Sequence, residues 1–252
     1  MGRIVPRVRF VDVRWVDETD STNSRLLEEA RAGAPEGVVL VADHQTAGRG
    51  RLGRRWEAPP GSSLLVSLLL RPTVAIERVH LVTMAAGLAA SDACEAVAGL
   101  RPGLKWPNDL VVDDAKLAGL LAESVVEGDA LRALVVGMGL NITAAPAEGA
   151  TALARHAGAA VDRRALLDAW LVRLDARLDA LDGVLADYRP RCATLGREVR
   201  VERPAGAVLV GTAADVTDAG HLVVDTGPAR VEVTVGDVVH VRASPGGSRT
   251  PW

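Results

Sequence analysis

At Gly196 the hydrophobic rhythm of this 252-residue chain changes, and that change limits the fold more than any other feature. Upstream, residues 77–99 are Ala-rich with helical spacing, and RRALLDAWLVRLDARLDALD (163–182) carries leucines at i, i+3, i+4 and i+7. Downstream, REVRVE, AVLVGTAADV, HLVVDT and ARVEVTVGDVVHVR alternate apolar and polar residues, with Gly or Pro turns between them. A period of 3.6 buries one stripe of a helix, whereas a period of 2 buries one face of a sheet. Two units are therefore expected: an α+β domain over 1–195 and a small all-β barrel over 196–243. The tail ASPGGSRTPW (243–252) reads as disordered from 244 on.

Within the first unit, residues 11–16 read as a short strand. Ser21 or Thr22 caps a helix over Asn23–Arg31 that stops at Gly33. GVVLVADH (37–44) and SLLVSLLL (63–70) read as strands, the second fully buried. Between them, QTAGRGRLGRRWEAPPGSS (45–63) has no periodicity and reads as a long loop. From 100 to 142, short strands alternate with turns at Pro107-Asn108 and Asp113-Asp114. A shorter helix is expected to end near Cys192.

Composition excludes several function classes. A net charge of −3 gives no basic excess, so a nucleic-acid partner is not favoured. No run of about 18 uncharged apolar residues predicts a membrane span, and MGRIVPRVRFVDVRW lacks the apolar core of a signal peptide. Two cysteines make no disulfide framework and fit a reducing cytoplasm.

The 29 basic residues include only two lysines, Lys105 and Lys116; the amides number only four, Asn23, Asn108, Asn141 and Gln45. The arginine bias itself reads as a GC-rich coding sequence. The survivors cluster in DSTN (20–23), HQTAGRGRLGRRW (44–56), KWPNDL (105–110), KLAGLLAE (116–123) and VVGMGLNI (135–142). GRGRLG (48–53) matches the dinucleotide-binding pattern, but it runs into Glu57-Ala-Pro-Pro and cannot open a helix over a pyrophosphate. Its arginines, Arg49, Arg51, Arg54 and Arg55, repel one another unless anions gather them, which predicts a loop that orders around phosphates. Taken singly, each remaining segment reads as a helix cap, a turn or a solvated lysine. It is their joint occurrence that points to one site.

Together these segments resemble the biotin protein ligases, the actinobacterial type most, over roughly residues 12–242. The resemblance implies a mixed sheet with packed helices, like the class II aminoacyl-tRNA synthetase/biotin ligase catalytic domain, followed by an SH3-like β-barrel. It implies two steps: biotin and MgATP give biotinyl-5′-AMP, and a lysine of a biotin carboxyl carrier protein or domain then takes the biotinyl group. Only about 15 residues precede the matched core, so a monofunctional form without a DNA-binding module is expected, as monomer or homodimer.

By resemblance, Ser21, Thr22, Asn23, Gln45, Gly48, Arg49, Gly50, Arg51, Lys116 and Gly119 bind biotin. Arg49, Arg51, Arg54, Trp56, Asn108, Asp109, Lys116 and Asn141 take the ATP side, with Lys116, Arg51 and Arg49 catalytic and Asp109 near Mg²⁺. Elementary chemistry agrees with these assignments. A ureido ring needs neutral donors and acceptors. A carboxylate attacking a phosphate needs cations between the two anions. A compact ammonium fits between two oxygens where a guanidinium fork does not. Lys105 reads as structural or a phosphate contact. The family's loop often carries Arg or His where this chain has Leu52. Two rivals remain, lipoate–protein ligase and a non-catalytic biotin sensor.

Overall fold

A computed structural model describes residues 9–203, 207–234 and 236–240. The chain divides into two compact units, meeting in sequence at Ala193 and Thr194. The tail expected to be disordered lies outside the described residues.

The first unit is built on a seven-stranded mixed sheet. Its elements are β1 (Asp12–Thr19), α1 (Thr22–Arg31), β2 (Val38–Gln45), β3 (Ser63–Leu70), α2 (Val79–Ala98), β4 (Gly103–Lys105), β5 (Asp109–Val112), β6 (Ala115–Glu127), β7 (Ala130–Asn141), α3 (Arg163–Asp179) and α4 (Val184–Tyr188). The strand order is β1-β2-β3-β7-β6-β5-β4. Only β1 and β2 run parallel, joined by α1 as the crossover. β3 lies between β2 and β7 with all eight residues buried, which is why SLLVSLLL reads as an unbroken apolar run. Asp113 and Asp114 both take positive φ in the tight β5–β6 turn, a conformation that short polar side chains tolerate.

The helices cover both faces of the sheet. Gly137 faces Asn23 of α1, while Leu120, paired opposite Met138, faces Gly87 of α2. Strand alternation therefore puts α1 and α2 on opposite faces. Leu26, Leu27 and Ala30 of α1 pack on Val38, Leu40, Leu69, Ala133 and Val135. α3 buries Leu166, Leu167, Trp170, Leu171 and Leu174, and the Trp170 indole donates to the Ala86 carbonyl at 3.0 Å, tying α3 to α2. Ile76–Ala98 comes nearer to a membrane span than the uncharged-run criterion suggests. It is long and apolar enough to qualify by composition, but 67% of its most apolar window is buried within the fold.

The second unit is an antiparallel sheet of β8 (Glu198–Glu202), β9 (Val208–Val216), β10 (Leu222–Asp225), β11 (Arg230–Val233) and β12 (Asp237–His240). The order is β11-β10-β9-β8-β12. Val199, Val201, Ala213, Val216, Leu222, Val224, Val233 and Val238 turn inward, as the two-residue period requires. Among the described residues, β11 and β12 remain the unpaired edges, so the expected barrel is seen here as an open five-stranded sheet.

Candidate functional site

The N-terminus of α1 opens above β7, and its first residues form the floor of a cavity. Ser21 is the helix cap, its Oγ accepting from Ser24 N at 3.4 Å. Ser21, Thr22 and Asn23 are all buried. Gln45 Oε1 accepts from the Thr22 backbone N–H at 2.8 Å, with Thr22 Oγ1 also 3.0 Å away. Thr22 Oγ1 lies 2.7 Å from Ser67 Oγ, which donates to Asn23 Oδ1 at 2.5 Å. The Asn23 amide nitrogen donates to Leu121 O and to Glu123 Oε2.

Counting protons fixes the polarity of this row. Two hydroxyls have two protons for three oxygen–oxygen gaps. The Ser67 hydroxyl serves Asn23 Oδ1, and the Thr22 hydroxyl has Gln45 Oε1 and Ser67 Oγ within reach; with either partner, Thr22 Oγ1 and Asn23 Oδ1 keep accepting capacity. The groups left for a ligand are two donors, the Ser21 hydroxyl and Gln45 Nε2, and two acceptors, Thr22 Oγ1 and Asn23 Oδ1. All four residues line a cavity of ≈110 Å³ with Arg49, Gly50, Arg51, Arg54, Asn108, Lys116 and Gly119.

The Gly/Arg loop folds over this cavity as a narrow hairpin. Gly50 N donates to Arg54 O, Trp56 N donates to Gly48 O, and Arg49 bridges Arg55. Leu52, at the departure from the family pattern, takes a left-handed φ of 56° and is 64% exposed. The arginines reduce their mutual repulsion by finding separate acceptors. Arg49 reaches Glu123 at 2.7 Å, Arg51 reaches Asn108 Oδ1 at 3.1 Å, and Arg55 reaches Thr46 O at 2.8 Å. Arg54 folds back on the Arg51 carbonyl. A Cβ on Gly48 would stand 2.4 Å from the Trp56 carbonyl, so Gly48 closes the hairpin's neck and is not a cavity-lining residue.

Trp56 and Lys116 form a wall shared with a second cavity of ≈230 Å³, which also holds Asn141, Pro146, Ala147 and Ala150. Lys116 Nζ sits 2.7 Å from Asp109 Oδ1 and 5.7 Å from the Trp56 ring centroid. The Asp109 contact is a close ion pair rather than an aligned hydrogen bond. The buried Trp56 indole N–H has no hydrogen-bond partner among the described residues. Asn141 is buried and donates one amide proton to Thr151 O.

The β7 glycines Gly137 and Gly139 both line the first cavity. They also make room for protein side chains. A Cβ on Gly137 would lie 2.2 Å from Asn23 Oδ1, and one on Gly139 would lie 2.4 Å from Trp56 Cε2. Lys105 lines neither cavity. Ser67 and Glu123 were missed, because serine and glutamate are common in this chain and carry no signal of rarity. Among the described residues no group of three His, Cys, Asp or Glu can hold a metal, and the near oxygen of Asp109 is already against Lys116. The described residues thus provide no cage for Mg²⁺.

Residues 15–141 match the biotin/lipoate A/B protein ligase family, and residues 194–241 match the biotin protein ligase C-terminal domain. The chain belongs to the biotin protein ligase family. Among biotin protein ligases it is 43% identical to the biotin–[acetyl-CoA-carboxylase] ligase of Mycobacterium tuberculosis, over 93% of this chain and 90% of that one. A Paracoccus denitrificans relative of the same name is 33% identical, over 85% of this chain and 94% of its own length. The biotin protein ligase of Aquifex aeolicus, solved in complex with biotin and ATP, superposes with a TM-score of 0.80 at 30% identity. That match covers 93% of this chain and all of the other. The Leishmania major biotin protein ligase in complex with biotinyl-5-AMP gives 0.63 at 25% identity, covering 92% of this chain and 99% of that one.

Proposed function

We propose that this chain joins biotin to ATP as biotinyl-5′-AMP and then transfers the biotinyl group to a lysine of a biotin carboxyl carrier domain. The observation that carries the reading is the polarity of the α1 row. A cyclic urea presents one carbonyl and two N–H groups. The Ser21 hydroxyl and Gln45 Nε2 match the carbonyl, and Thr22 Oγ1 and Asn23 Oδ1 match the two N–H groups. A dithiolane ring has none of these groups, which disfavours lipoate. The family membership and the relatives' names support the same reaction.

In the first step a biotin carboxylate oxygen attacks the α-phosphorus and pyrophosphate leaves. The two reactants are anions, so their approach needs fixed positive charge. Lys116 and Arg51 line the cavity beyond the ureido-matching row and supply it. Mg²⁺ bound to the ATP substrate would add positive charge at the phosphates. Trp56 and Asn141, in the second cavity, take the adenine. In the second step the acceptor amine attacks the mixed-anhydride carbonyl, AMP leaves with the bond's electron pair, and an amide forms with loss of the amine proton. The Gly/Arg loop over the cavity excludes water from the anhydride. Lys116 stabilises the carbonyl oxygen as its charge develops. We place this chemistry in the cytoplasm.

The test is pyrophosphate–ATP exchange with biotin or lipoate, followed by label transfer to a purified carrier domain. Biotin-dependent exchange and transfer are expected. Exchange with lipoate alone, or none at all, overturns the reading.

A further inference from the structure

We infer that Glu123 is a positioning residue for the biotin end of the site, acting through Asn23 and Arg49. The inference rests on the function proposed above. Gly119, Leu121 and Glu123 fall on the same face of β6, and Leu121 pairs with Gly137, the residue that faces Asn23. Glu123 does not line the cavity; it stands behind the residues that do. One carboxylate oxygen accepts from Asn23 Nδ2 at 3.0 Å, and the other accepts from Arg49 at 2.7 Å.

The first contact decides how the Asn23 amide is turned. Asparagine can present either its oxygen or its nitrogen to a ligand, and the two orientations are nearly equal in shape. Glu123 and the Leu121 carbonyl are both acceptors, and together they hold Nδ2 away from the cavity. Asn23 Oδ1 is left facing Ser67 and the ligand, the orientation a ureido N–H requires. The second contact sets where the loop lands. The Arg49 side chain is 46% exposed and that of Glu123 only 21%, so the ion pair is screened on one side and contributes little stability alone. Its effect is geometric. It pins the start of the hairpin to β6, so that Gly50 and Arg51 return over the same cavity that Asn23 floors.

Arg49 and Lys116 each meet a carboxylate, Arg49 that of Glu123 and Lys116 that of Asp109. Arg49 is therefore a loop anchor. Arg51 reaches the Asn108 oxygen at 3.1 Å.

The test compares the parent with E123Q, E123A, R49A and R49A/E123Q in biotin-dependent pyrophosphate exchange, with biotin binding by calorimetry and a thermal melt for each. Glutamine is isosteric but presents an N–H₂ to one of two donors, so it cannot satisfy both Asn23 and Arg49. E123Q is expected to raise KM for biotin about tenfold, the size of one lost charge-assisted hydrogen bond, with kcat within about threefold of the parent. In the R49A background the same substitution is expected to have a smaller effect, because one of its two targets is gone. Should E123A fail to fold, E123Q carries the reading. Biotin affinity unchanged in E123Q, a loss confined to kcat, or independent multiplication of the two effects overturns the role of Glu123. Absence of exchange in the parent itself would overturn the proposed function, and this inference with it.

Discussion

Replacing Lys116 by alanine and by arginine separates what its charge does from what its size does. Its ammonium lies 2.7 Å from Asp109 and beneath the Trp56 ring, and a Cβ on Gly119 would be only 3.1 Å from Nζ. The Lys116 side chain is 37% exposed, so its ion pair with Asp109 is partly screened; losing it costs the fold at most about 1 kcal/mol. In a domain of this size that lowers Tm by about 2–4 °C. The catalytic loss is larger. A donor aimed at charge that develops only in the transition state is worth about 2.7–4 kcal/mol, or 10²–10³ in kcat. Lys116→Ala is thus expected to melt close to the parent while losing two to three decades of biotin-dependent exchange. Lys116→Arg keeps the charge, but its guanidinium must find room between Asp109, Trp56 and the Gly119 backbone. It is expected to recover stability and less than a tenth of the exchange rate. Recovery to within about threefold of the parent would refute the compact-cation argument and leave charge alone as the requirement.

Three further outcomes follow from the geometry. Gly139→Ala forces the Trp56 ring off β7, so KM for ATP is expected to rise about tenfold or more, with biotin binding by calorimetry nearly unchanged; an unaltered ATP dependence would remove Trp56 from the nucleotide site. Arg51→Ala loosens the loop arm bonded to Asn108 and is expected to release biotinyl-AMP into solution, read by chromatography of the filtrate after a single turnover. If the adenylate stays bound as tightly as in the parent, the loop is not the lid. Burial pushes the pKa of the Cys94 thiol up to about 12, so almost none of it is the reactive thiolate near neutral pH while the protein is folded. Labelling of Cys94 by iodoacetamide at pH 8 is expected to follow unfolding, and fast labelling of the native protein would contradict its burial.

Elements with a strong local signal were legible in the sequence. α3 was visible as a leucine stripe, β3 as an apolar run, and the α1 cap as Ser21 or Thr22, which the structure settles on Ser21. Pairing was not legible. Nothing local in β1 says that it runs parallel to β2, and nothing in β3 names β7, some 70 residues away, as its neighbour. The site divided in a similar way. Rarity in a lysine-poor, amide-poor chain pointed to Asn23, Gln45, Asn108, Lys116 and Asn141, all of which line one of the two cavities. Rarity failed for Lys105, which lines neither, and could not reveal Ser67 and Glu123. Those two act through tertiary hydrogen bonds spanning 44 and 100 residues, which leave no trace in composition.

Two bare positions on β7 also fix a distance. Asn23 seats against Gly137 and the Trp56 indole against Gly139, two residues along the same strand. At about 3.3 Å per residue, the backbone itself sets these seats roughly 6.6 Å apart. The spacing between these two side chains is therefore written into an internal strand, not into the loop that closes over the cavity. Either pocket can change its chemistry without altering the separation, and a substrate whose two ends are spaced differently would find the frame unable to stretch.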